Sequence, residues 1–478
     1  MQELPPAITD ETERLSLLKQ TIAKNERGEW VLVPARIADY LLNAGSPLEI
    51  RTFKDNKDII TYNKVADSGV WNPNGTKEIE QAVSDIVDVC GKKLKEQLTR
   101  FVMSEVLAQI QWKTYMDRDN FRAPAGKIPL LNGVLDFAAG KLEPHRQENN
   151  FLYQVPVKYE ATATCPEIDK FLEEILGERK PLAYEMAGYM LCANAESLPN
   201  KWQRAFMLIG PGDNGKSTYL NLVTALLGDE NVSNQTLQAL VENRFSVATL
   251  DHKLANIAAD IGDRSLYATA QFKNLTGGDK ITAEHKFKDA YEFRNPAILA
   301  FSCNILPESY DDSNAYHKRW VIAPFENTFT DKKDPKLLEK LSTAEELSGF
   351  LNQAIAAYRE MDTRGTFTSE GATIEQKRDF YTKLSDPVSC FVEDCILFDP
   401  EGMVNKQQLY TEFRTYAQKR GYGKTFTQKR FFKKFREKAG EQLYESYVKD
   451  GDGVQRRIFK GIKLETASQT TLQEAAPA

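Results

Sequence analysis

The chain has 478 residues, a formal net charge of -6 and a sequence pI near 5.6, which excludes a polycationic nucleic-acid coat and leaves any such contact to local basic patches. No apolar stretch reaches membrane-span length and no signal pattern opens the chain, so the expectation is a cytoplasmic protein with no membrane partner. Six cysteines (Cys90, Cys165, Cys192, Cys303, Cys390, Cys395) lack paired metal-ligand spacing, which predicts reduced thiols, with Cys390 and Cys395 as apolar positions of one helix.

Residues 1–29 form a polar segment interrupted by Pro5-Pro6. Residues 30–200 read as an α+β structural or assembly domain. Strands are predicted at Trp30–Val33 and Ile59–Tyr62, and helices at Ala35–Leu42, Thr76–Arg100 and Val102–Gln111. Ile128–Phe137 carries a hairpin signal with Asn132-Gly133 in the turn, and Ile168–Leu191 has helical spacing. His145 is a lone histidine, read as a surface residue. No nucleophile and base stand at useful spacing, and no carboxylate pair suggests a polymerase or primase site.

Residues 201–363 carry the chemistry. Ala205–Ile209 is an apolar run of the kind buried in a parallel sheet, and helical spacing resumes at Tyr219, Leu220 and Val223. Between them stands Gly210-Pro211-Gly212-Asp213-Asn214-Gly215-Lys216-Ser217-Thr218, the full phosphate-loop pattern. Its glycines let backbone N–H groups turn onto phosphate oxygens at a helix N-terminus. Lys216 reaches the β- and γ-phosphates in such a loop, and Ser217 holds Mg²⁺. The bland alternative is a Gly-rich turn before a helix.

A nucleotide motor also needs a strand-end carboxylate for the metal. Lys253–Asp260 supplies Asp260, and Asp263 follows as a candidate to orient water. Then Gly277-Gly278-Asp279 precedes a β-prone stretch with Lys286 and Lys288 around Phe287, which suits a single nucleic-acid strand or a plain solvated hairpin. A second apolar strand, Ala297–Cys303, ends at Asn304, where an amide can sense a γ-phosphate. Arg319 precedes another buried strand, either as a finger acting on a neighbouring subunit or as an ordinary surface cation.

In this order, the phosphate loop, Asp260, Leu275-Thr276-Gly277-Gly278-Asp279, Asn304-Ile305-Leu306-Pro307 and Arg319 resemble a superfamily 3 helicase of the phage, plasmid and poxvirus primase–helicase family. Upstream, Asn132–Asp136, Tyr159, Cys165-Pro166, Phe171-Leu172 and Ala187-Gly188-Tyr189 are similar to that family's pre-helicase domain. The resemblance implies an α/β AAA+ P-loop ATPase that uses ATP and Mg²⁺ and assembles as a ring, usually a hexamer, on single-stranded DNA. It further implies metal binding by Ser217 and Asp260, sensing by Asn304, a trans finger at Arg319 and hairpin contacts through Lys286 or Lys288. Two departures stand out: Asp260 sits where relatives often have Glu, and Lys318-Arg319 stands for an Arg-Arg pair. The upstream primase domain of many relatives finds no room, which implies either a separate primase or polymerase as partner or no priming at all.

Residues 373–466 predict helices at Val388–Ile396, Asn405–Arg420 and Thr427–Lys438, then a strand–turn–strand over Val448–Leu464 with Asp450-Gly451-Asp452-Gly453 at the tip. That is the pattern of a winged helix. Its basic third helix offers Lys429, Arg430, Lys433 and Lys434 to DNA, with Phe426, Phe431, Phe432 and Phe435 as its apolar face; the alternative is a charged helix packed on the motor. Residues 467–478 read as a disordered tail. The expected function is a replicative DNA helicase of a mobile element or virus that unwinds forked DNA. An origin-binding or loading factor without processive unwinding is the alternative, and a small-molecule kinase is disfavoured because it needs no basic hairpin.

Overall fold

The computed structural model describes residues 20–66, 69–192, 202–210, 212–262, 266, 269–286, 288–309, 311, 313–329, 334–368, 373–419, 427–440, 443–449 and 455–465. The chain divides into two units, Met1–Val155 with Thr282–Glu292, and Pro156–Ile281 with Phe293–Ala478.

In the first unit, β1 (Ile22–Lys24) pairs antiparallel with β2 (Trp30–Leu32), and Pro34 opens α1 (Pro34–Leu41) at a position where no N–H is missed. Strand β3 (Leu48–Phe53) lies antiparallel to β4 (Ile59–Asn63). Helix α2 (Gly75–Cys90) places Ile79, Val83, Ile86 and Val87 on one buried face, as the 3.6-residue period demands. The single helix expected over Thr76–Arg100 is broken instead at Gly91, whose φ of 95° no helix tolerates. A short α3 (Lys92–Lys95) follows, and α4 (Arg100–Thr114) starts at Thr99, whose hydroxyl accepts the Val102 N–H at 3.3 Å. Strand β5 (Tyr115–Met116) runs parallel to β3. Ile37, Leu41, Ile79, Val83, Val106 and Ile110 share one core.

The expected hairpin forms from β6 (Lys127–Leu130) and β7 (Gly133–Asp136), with β8 (Lys141–Glu143) beside them. Leu130 faces Gly133, so the turn is Leu131-Asn132, one residue earlier than the motif suggests.

The second unit opens with α5 (Pro166–Leu176) and α6 (Lys180–Cys192). One continuous helix was expected there; Gly177, at φ 54°, ends the first. Helix α6 is buried on all sides from Leu182 to Cys192. Tyr189 meets the Phe206 ring edge-on at 5.8 Å, and the Tyr219 hydroxyl donates to the Ala183 carbonyl at 2.7 Å. Residues 166–192 therefore fold with the central sheet, within the second unit.

That sheet has five parallel strands in the order β10 (Val232–Ser233), β11 (Ala255–Ala258), β14 (Ile298–Cys303), β9 (Ala205–Ile209), β15 (Trp320–Pro324). Strands β9 and β14 are buried at every residue, as both faces of a parallel sheet require. Helix α7 (Lys216–Leu227) follows β9; α8 (Leu237–Glu242) and α9 (Arg244–Ala248) lie between β10 and β11. Helix α10 (Thr269–Gly277) leads into the hairpin of β12 (Lys280–Glu284) and β13 (Ala290–Arg294), and α11 (Asn314–His317) precedes β15. Helices α12 (Leu337–Leu341) and α13 (Ala344–Arg364) close this region.

Beyond it come α14 (Ile374–Ser385), α15 (Pro387–Cys395), β16 (Ile396–Asn405), α16 (Lys406–Lys419), α17 (Gln428–Ala439), β17 (Tyr444–Lys449) and β18 (Gln455–Leu464). The three strands pair antiparallel in the order β16-β18-β17. Strand β16 is absent from the sequence expectation; it accommodates Asp399-Pro400-Glu401-Gly402 by a register shift between Phe398 and Met403. The tip at 450–453 and Phe426 lie outside the described residues. Among the described residues, no helix is long and apolar enough to cross a membrane.

Candidate functional site

Three neighbouring strands, β11, β14 and β9, end at the same edge of the sheet, with Ala258 opposite Phe301 and Cys303 opposite Ile209. Asp260, Asn304 and Gly210 follow those ends, in the crevice where open α/β sheets place ligands. The chain order of the strands separates these residues widely; the sheet order brings them together.

The loop after β9 is tightly held. Gly215 adopts φ 86°, and a Cβ there would lie 2.6 Å from Cγ2 of Ile175 on α5. Asp213 is left-handed at φ 59°, and its carbonyl accepts the Phe329 N–H at 2.7 Å. Asn214 is 2% exposed and donates to the Phe325 carbonyl at 3.1 Å. Gly212, Asp213 and Ser217 stay exposed, with Thr218 half-buried; Pro211 lies outside the described residues.

Lys216 Nζ donates to the Gly210 carbonyl at 2.7 Å, to Asn214 Oδ1 at 3.1 Å and to Asn304 Oδ1 at 3.5 Å. The residue is 4% exposed. Burial lowers its pKa from the ordinary lysine value, more than the negative charge of Asp260 raises it. This is an ammonium folded back onto its own loop. Asp260 is exposed at φ 50°, its N–H held by Ser302 Oγ at 3.2 Å. Asp263 lies outside the described residues.

Arg319, expected as a finger or an ordinary surface cation, is buried. It is 8% exposed and turned into its own chain, donating from Nε to Thr276 Oγ1 at 2.9 Å and from Nη1 to the Ala315 carbonyl at 2.5 Å. A finger acting on another copy needs a guanidinium at the surface, and here the exposed cation of the pair is Lys318.

Lys286 and Lys288 are exposed near the tip of the β12–β13 hairpin, which folds with the first unit; Phe287 lies outside the described residues. Lys288 pairs with Asp58 at 3.1 Å and Lys57 with Asp289 at 3.0 Å, two Lys-Asp dipeptides locked crosswise. On α17, Phe431, Phe432 and Phe435 are buried, Lys429 and Lys433 are exposed and Arg430 is half-buried. Lys434, expected to face DNA, turns toward acids of its own chain. Its ammonium pairs with Glu308, with Asp386 at 4.0 Å, and its side chain is only 18% exposed. Glu308 and Ser302 are supporting residues that carried no sequence signal; the first lies 126 positions from its partner, and no pattern links them.

Comparison with known proteins adds to this geometry. Residues 36–177 match the family described as D5 N terminal like, and residues 208–319 match a family of unknown function, DUF5906. "Putative helicase L207/L206" of Acanthamoeba polyphaga mimivirus is 27% identical over 213 residues, 42% of this chain and 22% of that protein. The chain is similar to viral proteins named as helicases. "Putative helicase 184R" of Invertebrate iridescent virus 6 is 24% identical over 287 residues, 55% of this chain and 29% of that protein. The matched stretches thus span under a third of these relatives' own length. Among solved structures, the apo structure of the NrS-1 C terminal region aligns with 14% identity and a TM-score of 0.41, over 90% of this chain and 99% of that one.

Proposed function

We propose that the chain is an ATP-driven helicase serving replication of a virus, phage or other mobile element, with an AAA+ core of the superfamily 3 type and a C-terminal winged helix. The observation that carries the reading is the convergence of Lys216, Asn304 and Asp260 at one sheet edge, with Lys216 Nζ 3.5 Å from Asn304 Oδ1. The order β10-β11-β14-β9-β15 supports it, since β14 stands between the phosphate-loop strand and the Asp260 strand, leaving the Asn304 amide beside the loop. The helix–strand–helix–helix–strand–strand order from α15 to β18 supports the winged helix.

In this reading Lys216 leaves the Gly210 carbonyl to neutralise β- and γ-phosphate charge, and loop N–H groups from Gly212 to Ser217 cradle the phosphates. Asn304 reads the γ-phosphate. The Ser217 hydroxyl and the Asp260 carboxylate are exposed, hard oxygen donors, the few protein ligands Mg²⁺ takes beside phosphates. Bound there, Mg²⁺ would offset charge on the transferring phosphoryl group. Copies of the chain would close into a ring around single-stranded DNA, contacted by the Lys286–Lys288 hairpin. Arg319, as it lies, holds its own subunit together.

The test is ATP turnover with and without single-stranded DNA, in wild type and Lys216→Ala. The reading expects turnover that DNA stimulates and Lys216→Ala abolishes; wild-type turnover indifferent to DNA would count against it. An origin-binding or loading factor is the second reading, favoured by the exposed Lys429 and Lys433 of α17, which suit duplex phosphates.

A further inference from the structure

Asn304 begins a loop that runs through Ile305, Leu306, Pro307 and Glu308, and the C-terminal segment grips that loop twice. The Tyr381 hydroxyl, on α14, donates to the Pro307 carbonyl at 2.8 Å and lies 2.9 Å from the Tyr316 hydroxyl. Tyr381 is 3% exposed and its ring meets Tyr316 edge-on at 5.7 Å. One residue along, the Glu308 carboxylate is paired with Lys434 of α17.

Asp386 joins the same cluster. It caps α15 through the Ser389 N–H at 3.2 Å and pairs with Lys438 at 3.0 Å. Helix α17 therefore has two sets of cations. Lys429 and Lys433 face solvent, whereas Lys434 and Lys438 are committed to acids of their own chain.

We propose that Lys434 and Tyr381 are positioning residues for ATP turnover, holding from the C-terminal domain the loop that sets the Asn304 amide against Lys216. The inference rests on the ATPase reading and deepens it. An Asn at a strand end senses a phosphate only if its loop keeps one geometry. Removing an anchor lets the amide drift, which lowers the chemical step more than nucleotide binding, since the phosphate loop itself is untouched. The ion pair is partly buried, so it is screened less than a surface pair, and losing Lys434 removes the cation that faces the Glu308 carboxylate.

The test compares Lys434→Met, Glu308→Gln, Tyr381→Phe and the swap Lys434→Glu with Glu308→Lys, each in the full chain. Two readouts are taken: kcat and KM for ATP, and amide hydrogen exchange across residues 305–309 without nucleotide. Lys434→Met and Tyr381→Phe are expected to lower kcat about fivefold or more with KM within about twofold. They should also speed exchange in the loop, and the swap should recover most of kcat. Unchanged kcat and unchanged loop exchange in Lys434→Met would overturn the inference, as would a swap no better than its single variants. Wild type lacking any turnover that Lys216→Ala removes would instead overturn the ATPase reading itself.

Discussion

The Arg319 guanidinium donates from Nε to the Thr276 hydroxyl at 2.9 Å, joining the start of β15 to the last turn of α10. Thr276 belongs to the Leu275–Asp279 string, so two segments that look like separate motifs in the sequence are one buried contact. Arg319→Ala should destabilise the chain by about 1–3 kcal/mol, the cost of leaving buried partners unsatisfied, measured by urea unfolding. Mixing Arg319→Ala with Lys216→Ala chains should restore no ATP turnover. Recovery in the mixture would show that Arg319 acts across copies.

Lys216 gives a prediction with a definite sign. Burial lowers its folded pKa below the unfolded value, so its charge costs stability at pH below the folded pKa. The cost fades as pH rises through the folded and then the unfolded lysine value of about 10.4. Without nucleotide, Lys216→Met should therefore melt no lower than wild type near neutral pH, and any advantage should shrink above about pH 10. A clear loss of melting temperature at pH 7 would show that the ammonium is a net support of the loop.

The crossed pairs Lys57–Asp289 and Lys288–Asp58 lie at the surface, where solvent screening leaves ion pairs weak. DNA phosphates can thus compete for Lys288. Asp58→Asn should raise affinity for single-stranded DNA by freeing Lys288. Lys288→Ala should lower it and flatten the salt dependence by about one phosphate contact. Titration of a labelled oligonucleotide at several salt concentrations reads both, and identical slopes for Lys288→Ala and wild type would remove the hairpin from the DNA path.

In the C-terminal segment, Phe431 is fully buried and stacks on Phe413 with centroids 4.3 Å apart. Phe431→Ala should cost about 3–5 kcal/mol by transfer and cavity terms. Lys433→Ala, on the exposed face, should leave stability within about 0.5 kcal/mol while weakening duplex DNA binding. Denaturant unfolding separates the two.

The parts of this fold written in local pattern were legible. The apolar run of β9, the glycine spacing after it and the strands ending near Asp260 and Asn304 all follow from short-range rules, and the structure places them side by side. Helix ends were not, because Gly91 and Gly177 look from spacing alone like tolerated interior glycines, whereas their backbones turn left-handed. Charge was the hardest to read. A sequence displays Lys434, Lys288 and Arg319 as free cations, yet two are paired with acids 126 and 230 positions away and the third donates to neutral oxygens inside its own fold. Long-range partners decide whether a cation meets DNA, and no local pattern records them.

In the proposed function, ATP hydrolysis at Lys216 is coupled to strand separation. The most direct measurement follows release of a labelled strand from a forked duplex, with ATP and Mg²⁺, by wild type and Lys216→Ala. The account predicts ATP-dependent release by wild type and none by Lys216→Ala. DNA-stimulated ATP turnover without any strand release by wild type, or release by Lys216→Ala, would contradict it.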